Sequence, residues 1–172
     1  MTGMLLLDAL FRRRGLLLGV AAILFGTLGA PSRTSIVTGS LLALTGLTLR
    51  LWAISWIGPA ARTRDPSPPA MRIKGGPYRL RHPLYGGNIL VGVGFAWASS
   101  PPLTALTLGS LGLVVFYVAL AAREELSLRR ARVPAGVRPR LGIRGALRTE
   151  RSTWGTAVIA LSALAMLAYN TA

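Results

Sequence analysis

The sequence predicts an all-α integral membrane protein with about five transmembrane helices, a cytoplasmic N-terminus, and spans three and four joined as a helical hairpin. Three observations predict it. The 172 residues are 52% hydrophobic and 15% charged, and the apolar residues come in blocks rather than in the scattered pattern of a small soluble fold. Twenty Lys and Arg stand against five Asp and Glu, for a net charge of +15, and the cations lie between the blocks. With five spans drawn, every strongly basic segment falls on one side of the bilayer, which the positive-inside rule makes the cytoplasmic side.

The length suits one membrane domain covering residues 1–172. Such a charge in a soluble chain would suit nucleic acid. Set between apolar blocks it suits the anionic lipid of the cytoplasmic leaflet, so the expected partner is the bilayer and not nucleic acid. The absence of cysteine excludes disulfides, thiolate metal sites and Cys nucleophiles. One histidine and five acids are too few for a protein-built metal centre, so no metal is expected.

The elements follow in order. Residues 4–11 are apolar, Arg12, Arg13 and Arg14 follow, and residues 15–30 are apolar again. A charged region before an apolar one is a signal-peptide pattern, but four more apolar blocks come after it. Residues 15–30 are therefore span one, and residues 4–11 an interfacial helix or the start of that span. Span two, 36–58, is long enough to cross alone at ~20 residues. Spans three, four and five are 84–99, 103–122 and 154–169. Spans one, three and five are short, so their ends draw on flanking residues. Ser99-Ser100-Pro101-Pro102 is an uncharged turn that closes the hairpin.

Two cytoplasmic loops result. Loop 59–83 carries Arg62, Arg64, Arg72, Lys74, Arg79 and Arg81, with a stiff, extended Asp65-Pro66-Ser67-Pro68-Pro69 stretch inside it. Loop 123–151 carries nine Arg, counting its ends. The other side has only Arg33, the Ser-Pro turn and an uncharged tail.

Four features carry chemistry. Glu124 and Glu125 are adjacent where span four leaves the membrane. That is a helix C-terminus, where the macrodipole disfavours carboxylates, and like neighbours repel. They either pair with Arg123, Arg129 or Arg130, or they face a cation or hydrogen-bond donors of a ligand. The second feature is the run Gly75-Gly76-Pro77-Tyr78-Arg79-Leu80-Arg81-His82-Pro83-Leu84-Tyr85-Gly86-Gly87, entering span three. Its glycines permit close backbone approach, its prolines fix the path, and Tyr78, His82 and Tyr85 bring rings and donors beside cations. The bland alternative is a membrane-anchoring turn with snorkelling side chains. The third is Gly92-Val93-Gly94, which serves either a ligand or helix packing. The fourth is Arg50 inside span two. An intramembrane charge is a functional hypothesis by default, with snorkelling toward Gly58 as the alternative.

Together these residues resemble the isoprenylcysteine carboxyl methyltransferase and phospholipid methyltransferase superfamily. The elements are Gly-Pro-Tyr-Arg (76–79), Arg-His-Pro-Leu-Tyr (81–85), Gly-x-Gly (92–94) and the Glu124-Glu125 pair. Leu49-Arg50-Leu51-Trp52-Ala53, with Gly58 following, is similar to the family's preceding span, and the likeness covers roughly residues 46–141. The resemblance implies an S-adenosylmethionine cofactor at the cytoplasmic end of the helices. It implies that Tyr78, Arg81, His82, Pro83, Tyr85, Gly92, Gly94, Glu124 and Glu125 hold the cofactor. It also implies that Arg50, His82 and Glu125 serve the reaction, Arg50 by holding an anionic group of a lipid or lipophilic substrate. The cofactor's ammonium suits a Glu, its carboxylate suits Arg81, and its adenine suits a tyrosine ring. The chain departs from the family pattern twice. Only Leu80 separates the two arginine-bearing elements, and the segment between Glu125 and Val133-Pro134 is short and lacks tyrosines. Arg138 and Arg140 are then expected within reach of the site.

The expected activity is S-adenosylmethionine-dependent methyl transfer to a lipid or lipophilic small molecule, in the cell (inner) membrane with the site facing the cytoplasm. No general base stands out besides His82 and the Glu pair, which favours an acceptor already deprotonated. Two alternatives remain open. One is an NADPH-dependent membrane reductase of related helical arrangement, and the other a non-catalytic lipid-binding protein.

Overall fold

A computed structural model describes residues 13, 19–58, 72–136 and 140–170. Residues 4–11, Arg12, Arg14, Arg62, Arg64, the 65–69 stretch and Arg138 lie outside the described residues. The chain is all-α in its architecture. The helices are α1 (Gly19–Leu28), α2 (Arg33–Ile57), α3 (Pro83–Ser99), α4 (Leu103–Arg130) and α5 (Ile143–Asn170). Three of them, α2, α4 and α5, are long and apolar enough to cross a membrane. At 1.5 Å per residue they reach about 38–42 Å, beyond the roughly 30 Å of a hydrocarbon core. The 17-residue α3 is shorter than that core.

Helices α4 and α5 overrun the boundaries read from hydropathy. α4 continues past residue 122 to Arg130, and α5 begins at Ile143 rather than near 154. The extension of α4 is made of good helix formers and carries a Glu125–Arg129 pair at i,i+4, with Arg129 and Arg130 in the last turn. Both the pair and the terminal cations favour continued helix. Arg132, at φ 49°, and then Pro134 end it.

The tightest seam in the bundle joins α2 to α3, and small residues make it. A Cβ on Gly39 would lie 2.5 Å from the Gly94 carbonyl oxygen, and one on Gly46 would lie 2.7 Å from that of Gly87. Backbones this close gain dispersion and polar contacts that do not depend on water. Ser35 Oγ donates to the Ala98 carbonyl at 3.2 Å and Trp97 Nε1 to Thr38 Oγ1 at 3.0 Å. A Ser32–Ser35 capping box starts α2.

The Ser99–Pro102 turn joins α3 to α4, as expected for a hairpin, with Ser100 left-handed at φ 49°. The Ala30 amide donates to the Ser100 carbonyl at 3.2 Å, so the α1–α2 link lies beside this turn. At the other end of the bundle the two basic loops meet. Arg72–Ile73 (β1) and Ala135–Gly136 (β2) form a two-residue parallel bridge, extended by Arg72 N to Pro134 O at 2.9 Å and Lys74 N to Gly136 O at 3.0 Å. Nothing in the hydropathy pattern points to this pairing. The Arg140 guanidinium lies 3.9 Å over the Trp56 ring, and the Leu141 amide donates to Ser55 O at 2.8 Å.

Large apolar side chains cover the outside of the bundle. Leu41 on α2, Leu108 and Leu111 on α4, and Ile159 and Met166 on α5 are each at least 60% exposed. In water an apolar surface this continuous would drive association.

Candidate functional site

The site is built at the loop end, where α3 begins. Gly75 (φ 93°) and Gly76 (φ 50°) turn the chain into a 3₁₀ segment, Gly76–Leu80. A Cβ on Gly76 would fall 2.3 Å from the Trp56 indole, so glycine is required both for the angle and for the approach. Arg81 follows at φ 61°, a conformation that costs a non-glycine residue about 1–3 kcal/mol. His82 then caps α3. Its carbonyl accepts from the Tyr85 and Gly86 amides, each at 3.1 Å, and the buried Pro83 fills the first helical position, where no N–H is needed.

This geometry stacks the rings of His82 and Tyr85, with centroids 5.7 Å apart and planes 14° from parallel. Tyr85 in turn lies 5.6 Å from the buried Tyr117 of α4. A ladder of rings therefore runs from the loop end into the bundle. Glu124 Oε2 stands 3.6 Å from His82 Nδ1. Tyr78 lies nearby, with its hydroxyl buried and without a hydrogen-bond partner among the described residues. Burial, and then the charge of Glu124, push its phenol well above the ordinary tyrosine range. It remains a neutral donor. Arg81 is exposed and makes no ion pair among the described residues.

The two glutamates part company. Successive helical residues point about 100° apart, so Glu124 faces His82 while Glu125 faces β1. Arg72 Nη2 lies 3.0 Å from Glu125 Oε2, and Arg129 Nε 2.9 Å from Oε1. Glu125, expected in the cofactor site, is thus placed toward β1. Its carboxylate is already held by two guanidiniums and ties β1 to α4.

Arg50, expected to hold a substrate anion, is also paired within the protein. Its guanidinium makes a two-point bridge to Glu150, Nε to Oε2 and Nη2 to Oε1, both 2.8 Å. Its Nη1 donates to Asn88 Oδ1. The Glu150 side chain is 0% exposed and that of Arg50 12%. Arg50 is thus neutralised inside the protein and joins α2, α3 and α5. Sequence reasoning missed Glu150. The signal was available, because an intramembrane Arg needs an acid and only five exist in the chain.

Gly92 and Gly94 face different helices. Gly94 is sealed in the α2 seam, where a Cβ would lie 2.6 Å from Ala43 N. Gly94, expected to hold the cofactor, is thus placed where two helices pack. Gly92 faces α4, where a Cβ would lie 2.5 Å from Leu113 Cδ2, and it lines a cavity. That cavity, about 420 Å³, lies between α1, α3, α4 and α5. Its walls are mainly apolar, among them Phe25, Val91 and Leu113, with polar groups at Asn88, Tyr117 and Ser152. Its size falls within the range of small-molecule sites, roughly 300–1,000 Å³. Tyr117 belongs both to this cavity and to the ring ladder that ends at His82. Arg140, expected near the site, stacks on Trp56.

Tyr78, His82, Pro83, Tyr85 and Glu124 thus converge at one end of the bundle, with Arg81 exposed at the rim. No protein-family model, no curated protein and no solved structure matches this chain.

Proposed function

We propose that the chain is an integral membrane methyltransferase that uses S-adenosylmethionine to methylate a lipid or lipophilic small molecule at the cytoplasmic face. The observation that carries the reading is the junction of two unlike sites. A polar cluster of Glu124, His82 and Tyr78 is linked through Tyr85 and Tyr117 to an apolar cavity of ligand size. The polar cluster suits a charged, water-soluble cofactor, and the cavity suits a hydrocarbon tail.

The donor set fits the cofactor's groups. The Glu124 carboxylate accepts from an ammonium or a ribose hydroxyl. The buried Tyr78 hydroxyl lacks a partner among the described residues and donates to an acceptor brought into the site, an arrangement that relieves its burial. Arg81, exposed at the rim, suits a carboxylate. The Tyr85 ring offers a face for adenine. When bound, the cofactor supplies an electrophilic methyl group. The protein's part is to align an acceptor with that methyl and to exclude water. Among the described residues Arg72, Lys74, Arg79 and Arg81 lie at the site end of the bundle, and the positive-inside rule favours a cytoplasmic position for that end.

Calorimetry in detergent tests the reading. The wild type is expected to bind S-adenosylmethionine, and Glu124→Ala and His82→Ala to lose most of that binding. Absence of binding by the wild type, or unchanged binding in both variants, rejects it. A labelled-methyl assay on total membrane lipid then identifies the acceptor. Greater thermal stabilisation by NADPH than by S-adenosylmethionine would favour a reductase.

A further inference from the structure

The cavity between α1, α3, α4 and α5 carries a polar group whose orientation is dictated by chemistry. Arginine has only donors and no acceptor, so the Asn88 atom receiving Arg50 Nη1 is the amide oxygen. The amide nitrogen is therefore turned away from Arg50. Asn88 lines the cavity, and its Nδ2 makes no hydrogen bond among the described residues. Arg50 is held in turn by Glu150, through two bonds of 2.8 Å. A fully buried carboxylate, a guanidinium and an amide thus form a chain that ends in Asn88, at an otherwise largely apolar wall.

We propose that Asn88 is the recognition point of this cavity, donating from Nδ2 to an acceptor oxygen on a hydrocarbon-chain ligand, with Arg50 and Glu150 as positioning residues. The ligand class follows from the lining. Phe25, Val91, Leu113 and Ala157 accept an alkyl or prenyl chain. An acceptor such as an ester carbonyl satisfies a donor that an alkane would leave bare, and a bare donor in an apolar cavity is unfavourable. Ser152 and Thr153, close after Glu150 on α5, also line the cavity. Entry is lateral. α4 and α5 each pack on α3 but scarcely on each other, which leaves the cavity between them. This inference rests on the lipophilic-ligand part of the reading above and not on methyl transfer.

Photoaffinity labelling in detergent tests it, with two diazirine-bearing probes, methyl hexadecanoate and an alkane of equal chain length. The wild type is expected to be labelled on cavity residues by the ester at about five- to tenfold lower concentration than by the alkane, the value of one good hydrogen bond. Asn88→Asp keeps an oxygen for Arg50 and so keeps the packing, but it replaces the donor with an acceptor. It should bring the ester to within twofold of the alkane, whereas a purely structural Asn88 would leave the ratio unchanged. Arg50→Lys cannot hold Glu150 and Asn88 together in the same geometry and should also lower the ratio. Equal labelling by the two probes in the wild type, an unchanged ratio in Asn88→Asp, or labelling outside the cavity overturns the proposal. S-adenosylmethionine binding measured on the same samples separates the two inferences. Ester preference without cofactor binding removes the methyltransferase reading and leaves this one standing, and cofactor binding without ester preference does the reverse.

Discussion

Replacing Glu150 with Ala should be among the most damaging single changes in the protein. The Glu150 carboxylate is wholly buried, Arg50 is nearly so, and two charge-assisted bonds of 2.8 Å join them. Removing the carboxylate leaves a guanidinium among helices with, among the described residues, only the Asn88 oxygen to accept from it. Breaking a buried pair from one side costs about 3–5 kcal/mol, because the remaining charge is uncompensated. For a chain of this size each kcal/mol moves the melting temperature by about 2–4 °C, so a fall of about 6–20 °C is expected. The double variant Glu150→Ala with Arg50→Leu removes both charges and should recover a large part of the loss. The exposed Arg129 is the internal control. Its side chain is 68% exposed in the pair with Glu125, and Arg129→Ala should cost about 1 kcal/mol or less. Thermal unfolding in one detergent, followed by circular dichroism, measures all four proteins. If Glu150→Ala unfolds no earlier than Arg129→Ala, or if the double variant is no better than the single one, the ion pair does not hold the bundle.

Glycine substitutions separate packing from propensity. Gly94→Ala forces a methyl against Ala43 N and should destabilise by about 1–3 kcal/mol, while Gly112→Ala meets nothing within 4 Å and should stabilise α4 by about 0.5–1 kcal/mol. Thermal unfolding again decides between them, and equal effects would refute the seam. The two glutamates should diverge: Glu124→Ala is expected to lose most of the cofactor binding in calorimetry. Glu125→Ala should leave that binding within about twofold but loosen β1 from α4, read as faster proteolysis within residues 72–81. The raised phenol of Tyr78 predicts a pH effect. The folded state holds that proton more tightly than the unfolded chain, whose tyrosine titrates near 10. Its contribution is therefore complete below about pH 10 and is lost as pH rises above that value. Tyr78→Phe should flatten this alkaline decline, and parallel curves for the two proteins would refute the assignment.

Much of the architecture is written locally. Apolar blocks with cations between them define helices by their own composition, because a backbone without water must satisfy itself. The Ser-Ser-Pro-Pro turn and the glycine-rich entry to α3 are likewise set by the φ angles that Pro and Gly allow. The convergence of His82, Tyr85 and Glu124 at one end was legible too, since helix order alone brings the start of α3 and the end of α4 to the same side. What only the tertiary structure decided lies across space. Arg50 looked like a charge awaiting a substrate until Glu150, one hundred residues away, came to rest beside it. The adjacent glutamates read as a pair until the helical rotation sent one to His82 and the other to Arg72. Gly92 and Gly94 shared one motif until the neighbours of α3 gave them different faces. Composition fixes what each residue prefers, whereas the partner that meets that preference depends on how the helices pack.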